Sequence, residues 1–174
     1  MRVTGVLLVG GRSRRFGSPK ALARLGGETL AERAWSVLGW CDERLAVGKA
    51  ADGLPLPFPV VDDRSAVRAP LAGVVAGLRE AANEVVVFLP VDCPLITSDS
   101  LRELAEACED DAAVPPTGPL PGAYNRRTLG VLERRLAAGE LALREALAEF
   151  VVRVVRLDPA ELVDVNTRED LEGL

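Results

Sequence analysis

At three places in this sequence an apolar run ends in residues able to bind or neutralise a ligand. In the first, VTGVLLV stops at Gly10 and Gly11, and Arg12, Arg14, Arg15 and Lys20 follow, threaded with Gly17, Ser18 and Pro19. Adjacent glycines let the backbone approach a ligand with successive N–H groups turned inward, and arginine and lysine offset the charge of phosphate oxygens. The spacing is neither GxxxxGK[ST] nor GxGxxG. A flexible surface loop of solvated arginines accounts for the composition equally well; the position at the end of an apolar strand favours a ligand. The second place is Asp62-Asp63-Arg64, after Val60-Val61. Paired acids there suit a ribose hydroxyl, a base edge or a metal, and equally a turn, where aspartate is favoured. The third is Asp92, which follows VVVFLPV and precedes Cys93-Pro94. A lone carboxylate after a wholly apolar strand is the placement that holds Mg²⁺ beside a nucleotide phosphate, or else it caps the turn before the proline.

The remaining composition narrows the chemistry. There is no histidine, which excludes Ser-His-Asp and Cys-His nucleophile systems, an imidazole base and the usual zinc sites within this chain. Any metal is then held by oxygen, which points to magnesium or a similar hard cation. Cys41, Cys93 and Cys108 are odd in number and widely spaced, so they form neither a disulfide framework nor a CxxC pair. A reducing, cytoplasmic location is expected, with Cys93 a small packing residue. The net charge of −5 argues against a nucleic-acid partner and makes the arginines around Arg14 stand out. No apolar run approaches the ~18 residues of a membrane span, and no cleavage site ends the first one. Neither a membrane nor a secretory route is expected. Phosphoryl and nucleotidyl transfers need no protein nucleophile, because positioning and charge neutralisation carry them.

These residues need a scaffold that gathers strand ends. At 174 residues, with 48% apolar and 27% charged residues, the chain suits a single domain over 1–174 with a substantial core. Arg2 to Val9, ERLAVG, PFPVVDD and EVVVFLPVD read as strands. Helical spacing appears from near Thr29, from Pro70 to Ala82, after Ser100 and Glu103 (a capping-box spacing), and over Leu129–Ala138 and Leu141–Phe150, broken at Gly139. DAAVPPTGPLPGAYN is a loop with a strand at each end, VVRVVRL alternates as a strand, and Thr167 with Asp170 caps a final helix. Asp110 and Asp111, beside Glu109, read as solvated acids. Strands alternating with helices imply an α/β, Rossmann-like three-layer sandwich around a mostly parallel sheet, with ligands bound beyond the carboxyl ends of the strands.

The same residues resemble a known family, the molybdenum cofactor guanylyltransferases of the parallel-sheet nucleotidyltransferase group. TGVLLVGGRSRRFGSPKALARLGGETL is similar to that family's LAGGxSxRMGxDK opening, and VVDDRSAVRAPLAGVVAGL to its ED…GPLAG segment. FLPVDCPLI is similar to its PCDxP segment and DVNTREDLEGL to its closing NxNTPEDL, so four blocks in family order span nearly the whole chain. The resemblance implies attack by the terminal phosphate of molybdopterin on the α-phosphate of GTP, with pyrophosphate leaving and Mg²⁺ required. It implies that Leu8, Val9, Gly10 and Gly11 line the nucleotide, that Lys20 and Arg15 face its phosphates, that Asp63 binds the nucleotide and that Asp92 binds magnesium. It places Asn166 against the pterin-bearing substrate, and it implies transient contact with proteins that deliver and accept the cofactor. GSPK lacks the acid that usually precedes the lysine and is closer to a cytidylyltransferase of the same pathway; LVGG stands for LAGG, RRFG for RRMG, and Ala69 for a glycine. Cytidylyl transfer to the same cofactor, or a nucleotide-binding accessory protein without turnover, are the alternatives.

Overall fold

The computed structural model describes residues 1–10 and 15–174. Five strands lie where the apolar runs end in the residues of interest or beside them: β1 (Val3–Leu8), the short hairpin β2 (Arg24–Leu25) and β3 (Glu28–Thr29), β4 (Glu43–Gly48) and β5 (Val60–Asp62). β6 (Val85–Pro90), β7 (Ala112–Val114), β8 (Gly122–Asn125) and β9 (Val152–Val154) follow. The main sheet has seven strands in the order β5-β4-β1-β6-β8-β7-β9. β1 pairs in parallel with both β4 and β6, β4 with β5, and β7 with β9, while β8 runs antiparallel between β6 and β7. The chain is thus a mostly parallel α/β sandwich, and the strand order reverses on either side of β1, where such sheets bind ligands.

The apolar runs are continuous because both faces of each central strand are covered. On one face Val3 and Leu7 of β1 and Val85, Val87 and Leu89 of β6 pack with Ala31, Ala34 and Leu38, and with Leu101 and Leu104. These come from α1 (Leu30–Val37) with the turn after it and from α3 (Ser98–Ala107). On the other face Val6, Leu8, Val86 and Phe88 meet Leu71, Val74, Val75 and Leu78 of α2 (Pro70–Glu80) and Leu132 of α4 (Leu129–Ala137). Each of these fully buried side chains contributes roughly 1.5–3 kcal/mol relative to exposure. Phe88 also meets Tyr124 edge-on at 5.8 Å, and the Tyr124 hydroxyl donates to the Pro119 carbonyl at 2.7 Å, so the buried phenol is satisfied.

Local signals set most element ends. Thr29 caps α1 in a capping box with Glu32, Pro70 opens α2 where a missing N–H costs nothing, and Thr167 with Asp170 boxes α6 (Arg168–Glu172). Four sequence expectations are corrected. The cap of α3 is Thr97, whose hydroxyl accepts from the Ser100 amide; the Ser100 hydroxyl instead donates to Glu161. β5 covers only Val60–Asp62, because the alternating prolines of Leu54–Pro59 lack the N–H donors a strand needs. Within Leu141–Phe150, past Gly139 held at φ +74°, only α5 (Leu143–Ala146) is α-helical, followed by a 3₁₀ turn over Leu147–Glu149. Asp111 is not simply solvated: it accepts from the Val151 amide and from Arg127 and ties β9 to the sheet. Those bonds hold its carboxyl below the usual range. No helix among the described residues is long and apolar enough to cross a membrane.

Candidate active site

β1 delivers Val9 and Gly10 to the carboxyl end of the sheet. The Leu8 carbonyl accepts from the Val91 amide at 3.3 Å and the Val9 amide donates to the Val47 carbonyl at 3.0 Å, so these groups fix the strand end between β4 and β6. The side chains of Leu8 and Val9 are buried, and Gly10 is exposed. A ligand at this edge therefore meets backbone and the bare Cα of Gly10. Gly48, at the end of β4, must be glycine for the same closeness: a Cβ there would come within 2.8 Å of Val9 Cγ2. Gly11, together with Arg12, Ser13 and Arg14, lies outside the described residues. Arg15 is exposed.

Beyond Gly48 the chain presents Lys49, which sequence reasoning missed. Its Nζ donates to both carboxylate oxygens of Asp63 at 2.9 Å and to the Ser65 carbonyl at 2.7 Å. The two side chains are only 12% and 8% exposed, and the pair is held from below by the Asp63 amide, which donates to the Gly48 carbonyl. Asp63 also accepts from the Ser65 amide, and Asp62 from the Ala50 amide. Both acids of the pair thus serve the turns around them, and Asp63 carries a buried counter-ion in addition. The sequence offered a signal for Lys49: it is the only charged residue directly after the apolar end of β4.

The third cluster joins residues from opposite ends of the chain. Lys20 starts a 3₁₀ turn, Lys20–Leu22, and its Nζ donates to Asn166 Oδ1 at 3.2 Å and lies 3.6 Å from Asp92 Oδ2. The Asp92 carbonyl accepts from the Val165 amide at 2.8 Å, which seats the C-terminal segment beside β6. Burial pushes the Asp92 carboxyl above the usual range; the Lys20 ammonium opposes this and the Asp164 carboxylate adds to it. Cys93, buried at 2% exposure, donates its thiol to Asp164 Oδ1 at 3.1 Å. Burial and the two carboxylates push that thiol far up, which disfavours a free thiolate nucleophile.

The structure therefore brings Lys20, Asp92 and Asn166 together, as one constellation at the carboxyl end of β6, and adds Asp164 to it. Ligand atoms of Asp92, Cys93 and Asp164 all lie within 4.8 Å of one another. Two of these three donors are carboxylates, which suit a hard cation whose other ligands are waters or phosphate oxygens. Asp164 could have been noticed because it replaces the first asparagine of the NxNTPEDL motif with a charged oxygen ligand.

Comparison with known proteins gives the family. A family model described as the MobA-like NTP transferase domain matches residues 5–157. A probable molybdenum cofactor guanylyltransferase of Bacillus licheniformis is 32% identical, the alignment covering 100% of this chain and 97% of the relative. One of Deinococcus radiodurans, described in the same words, is 36% identical over 99% of this chain and 93% of its own length. Among solved structures, molybdopterin-guanine dinucleotide biosynthesis protein A of Archaeoglobus fulgidus superposes with a TM-score of 0.82, covering 98% of this chain and 95% of that one. At 24% identity that likeness bears on the fold alone. With a family model over most of its length and full-length relatives above 30% identity, the chain belongs to the MobA-like NTP transferase family and is a nucleotidyltransferase.

Proposed function

We propose that the protein transfers GMP from GTP to the terminal phosphate of molybdopterin carrying molybdenum, releasing pyrophosphate. The observation that carries this reading is the meeting of Lys20, Asp92 and Asn166, drawn from the amino-terminal loop, the end of β6 and the C-terminal segment. The reaction forms a bond between an acceptor phosphate oxygen and the α-phosphorus and breaks the α–β bridging bond. Lys20 would offset charge on the triphosphate, with Arg15 also facing its phosphates and Gly11 lining the nucleotide. Leu8, Val9 and Gly10 would line the nucleotide through their backbone. Asp63, fixed by Lys49, would give the nucleotide one oriented carboxylate, and Asn166 would meet the pterin-bearing acceptor beside Lys20.

Asp92 would hold Mg²⁺, with Asp164 within reach of the same ion. When bound, the ion supplies positive charge at the phosphate oxygens and orients the leaving pyrophosphate. The chain has no histidine, and transfer to an acceptor phosphate needs no covalent nucleophile from the protein. The names borne by the relatives support guanine as the base and molybdopterin as the acceptor. We place the reaction in the cytoplasm on the strength of three free cysteines, and the product passes through transient contacts with cofactor-delivering and cofactor-accepting proteins.

A second reading, cytidylyl transfer to the same acceptor, is favoured by GSPK, where the acid before Lys20 is missing. Pyrophosphate release with molybdopterin and Mg²⁺, measured for GTP and CTP in turn and repeated with EDTA, separates the two. GTP-dependent release abolished by EDTA supports the proposal; faster release with CTP overturns the base assignment. Binding of GTP and Mg²⁺ with no release would point to an accessory protein.

A further inference from the structure

Arg168 is the first residue of α6, directly after the Thr167 cap. Local preference does not explain it. A cation in the first turn of a helix opposes the dipole, and the first position suits proline, which the NxNTPEDL motif carries there. The helix end is already satisfied by the capping box of Thr167 and Asp170.

The guanidinium is used elsewhere. Nε donates to the Phe16 carbonyl at 3.1 Å, across 152 residues of sequence, and Nη2 donates to Ser18 Oγ at 3.3 Å. Its central carbon lies 5.8 Å from the centroid of the Phe16 ring, within cation–π range. Phe16 is itself anchored, at 3% exposure. Just beyond Ser18, Lys20 donates to Asn166, which comes from the same C-terminal segment as Arg168. The segment thus grips Phe16–Lys20 at both ends, by a forked cation at one and an amide at the other.

We infer that Arg168 is a positioning residue: it ties the Phe16–Ser18 turn to the C-terminal segment and so sets where Lys20 meets the triphosphate. The inference rests on the nucleotidyl-transfer reading above for its function, but not for its geometry. Two donors in a fixed plane serve two acceptors here while the guanidinium carbon stays 5.8 Å from the ring centroid, which a lysine ammonium cannot reproduce. The role therefore depends on shape as well as charge.

The test compares Arg168→Gln, Arg168→Pro and Arg168→Lys with the native protein. Two readouts are needed: steady-state pyrophosphate release at varied GTP, and hydrogen exchange, without nucleotide, of the Leu22 and Ala23 amides, which donate to the Pro19 and Lys20 carbonyls of the turn. The Gln and Pro variants should raise KM for GTP about tenfold, the effect of one lost charge-assisted hydrogen bond, with kcat within about twofold. Exchange at these two amides should accelerate by a similar factor while the thermal midpoint stays put, since Arg168 is exposed. Arg168→Lys should behave like Arg168→Gln. Unchanged exchange in Arg168→Gln overturns the inference, and so does full recovery of KM by lysine, which would mean that charge alone matters. If the native protein releases no pyrophosphate from GTP, the functional reading fails, and exchange still decides whether Arg168 restrains the turn.

Discussion

Replacing Asp63 with alanine should destabilise the protein far more than losing a surface acid would. In the native fold Lys49 gives two hydrogen bonds to Asp63 and one to the Ser65 carbonyl, from side chains 12% and 8% exposed. Asp63→Ala leaves a nearly buried ammonium with one carbonyl partner and removes the acceptor of the Ser65 amide. Breaking one side of a buried pair costs roughly 3–5 kcal/mol. Because 12% exposure lets some water reach Lys49, the lower end, about 3 kcal/mol, is expected. In a domain of this size each kcal/mol moves Tm by ~2–4 °C, so the midpoint should fall by about 6–12 °C. Scanning calorimetry without nucleotide reads this directly. Adding Lys49→Met removes the orphaned charge and should recover about half of the loss, a coupling that a double-mutant cycle isolates. A fall under about 2 °C for Asp63→Ala, or strict additivity in the cycle, would refute the view that these two side chains form a desolvated pair.

Further outcomes follow from the other cluster and from the thiols. Asp92→Asn should lower Mg²⁺-dependent turnover by at least about a hundredfold. Because burial holds the native carboxyl above its usual range, this group stabilises the empty fold only at acidic pH, and that stability is lost as pH rises through the raised value; Asp92→Asn should therefore raise Tm at neutral pH, and a lowered Tm would contradict the desolvation argument. For the same reason kcat/KM for GTP should fall on an acidic limb above the ordinary carboxylate range, and a limb near ~4 would mean a solvated Asp92. Lys20→Ala should weaken triphosphate binding about tenfold by titration calorimetry, and unchanged affinity would remove Lys20 from the phosphates. Burial pushes Cys41 up to about 12, Cys108 up to about 11 and Cys93 further still, so a disulfide reagent at about pH 8 should label the native protein slowly and all three cysteines only after denaturation.

Much of the scaffold is legible in the sequence because its signals are local. Continuous apolar runs announce strands covered on both faces, and Thr29, Pro70 and Thr167 mark helix starts through the backbone donors they cap or lack. Expectations slipped where two local signals competed. Thr97 and Ser100 both offer a hydroxyl near the start of α3, and only the tertiary contact of Ser100 with Glu161 decides between them. Lys20 and Asp92 are visible as strand-end residues, but their meeting with Asn166 is not, since nothing in the sequence brings residue 166 to residue 20. Lys49 and Asp164 leave a signal of position but not of partner, and the partner of Arg168 is hidden in the same way. The role of each is set only when the tertiary fold brings it against Asp63, Cys93 or Phe16.

The most direct measurement offers the protein, with Mg²⁺ and molybdenum-loaded molybdopterin, an equimolar mixture of GTP and CTP and reads the mass of the dinucleotide formed. The expected product is molybdopterin guanine dinucleotide with stoichiometric pyrophosphate, lost in Asp92→Asn. A cytosine dinucleotide as the main product, or guanine transfer undiminished in Asp92→Asn, would contradict it.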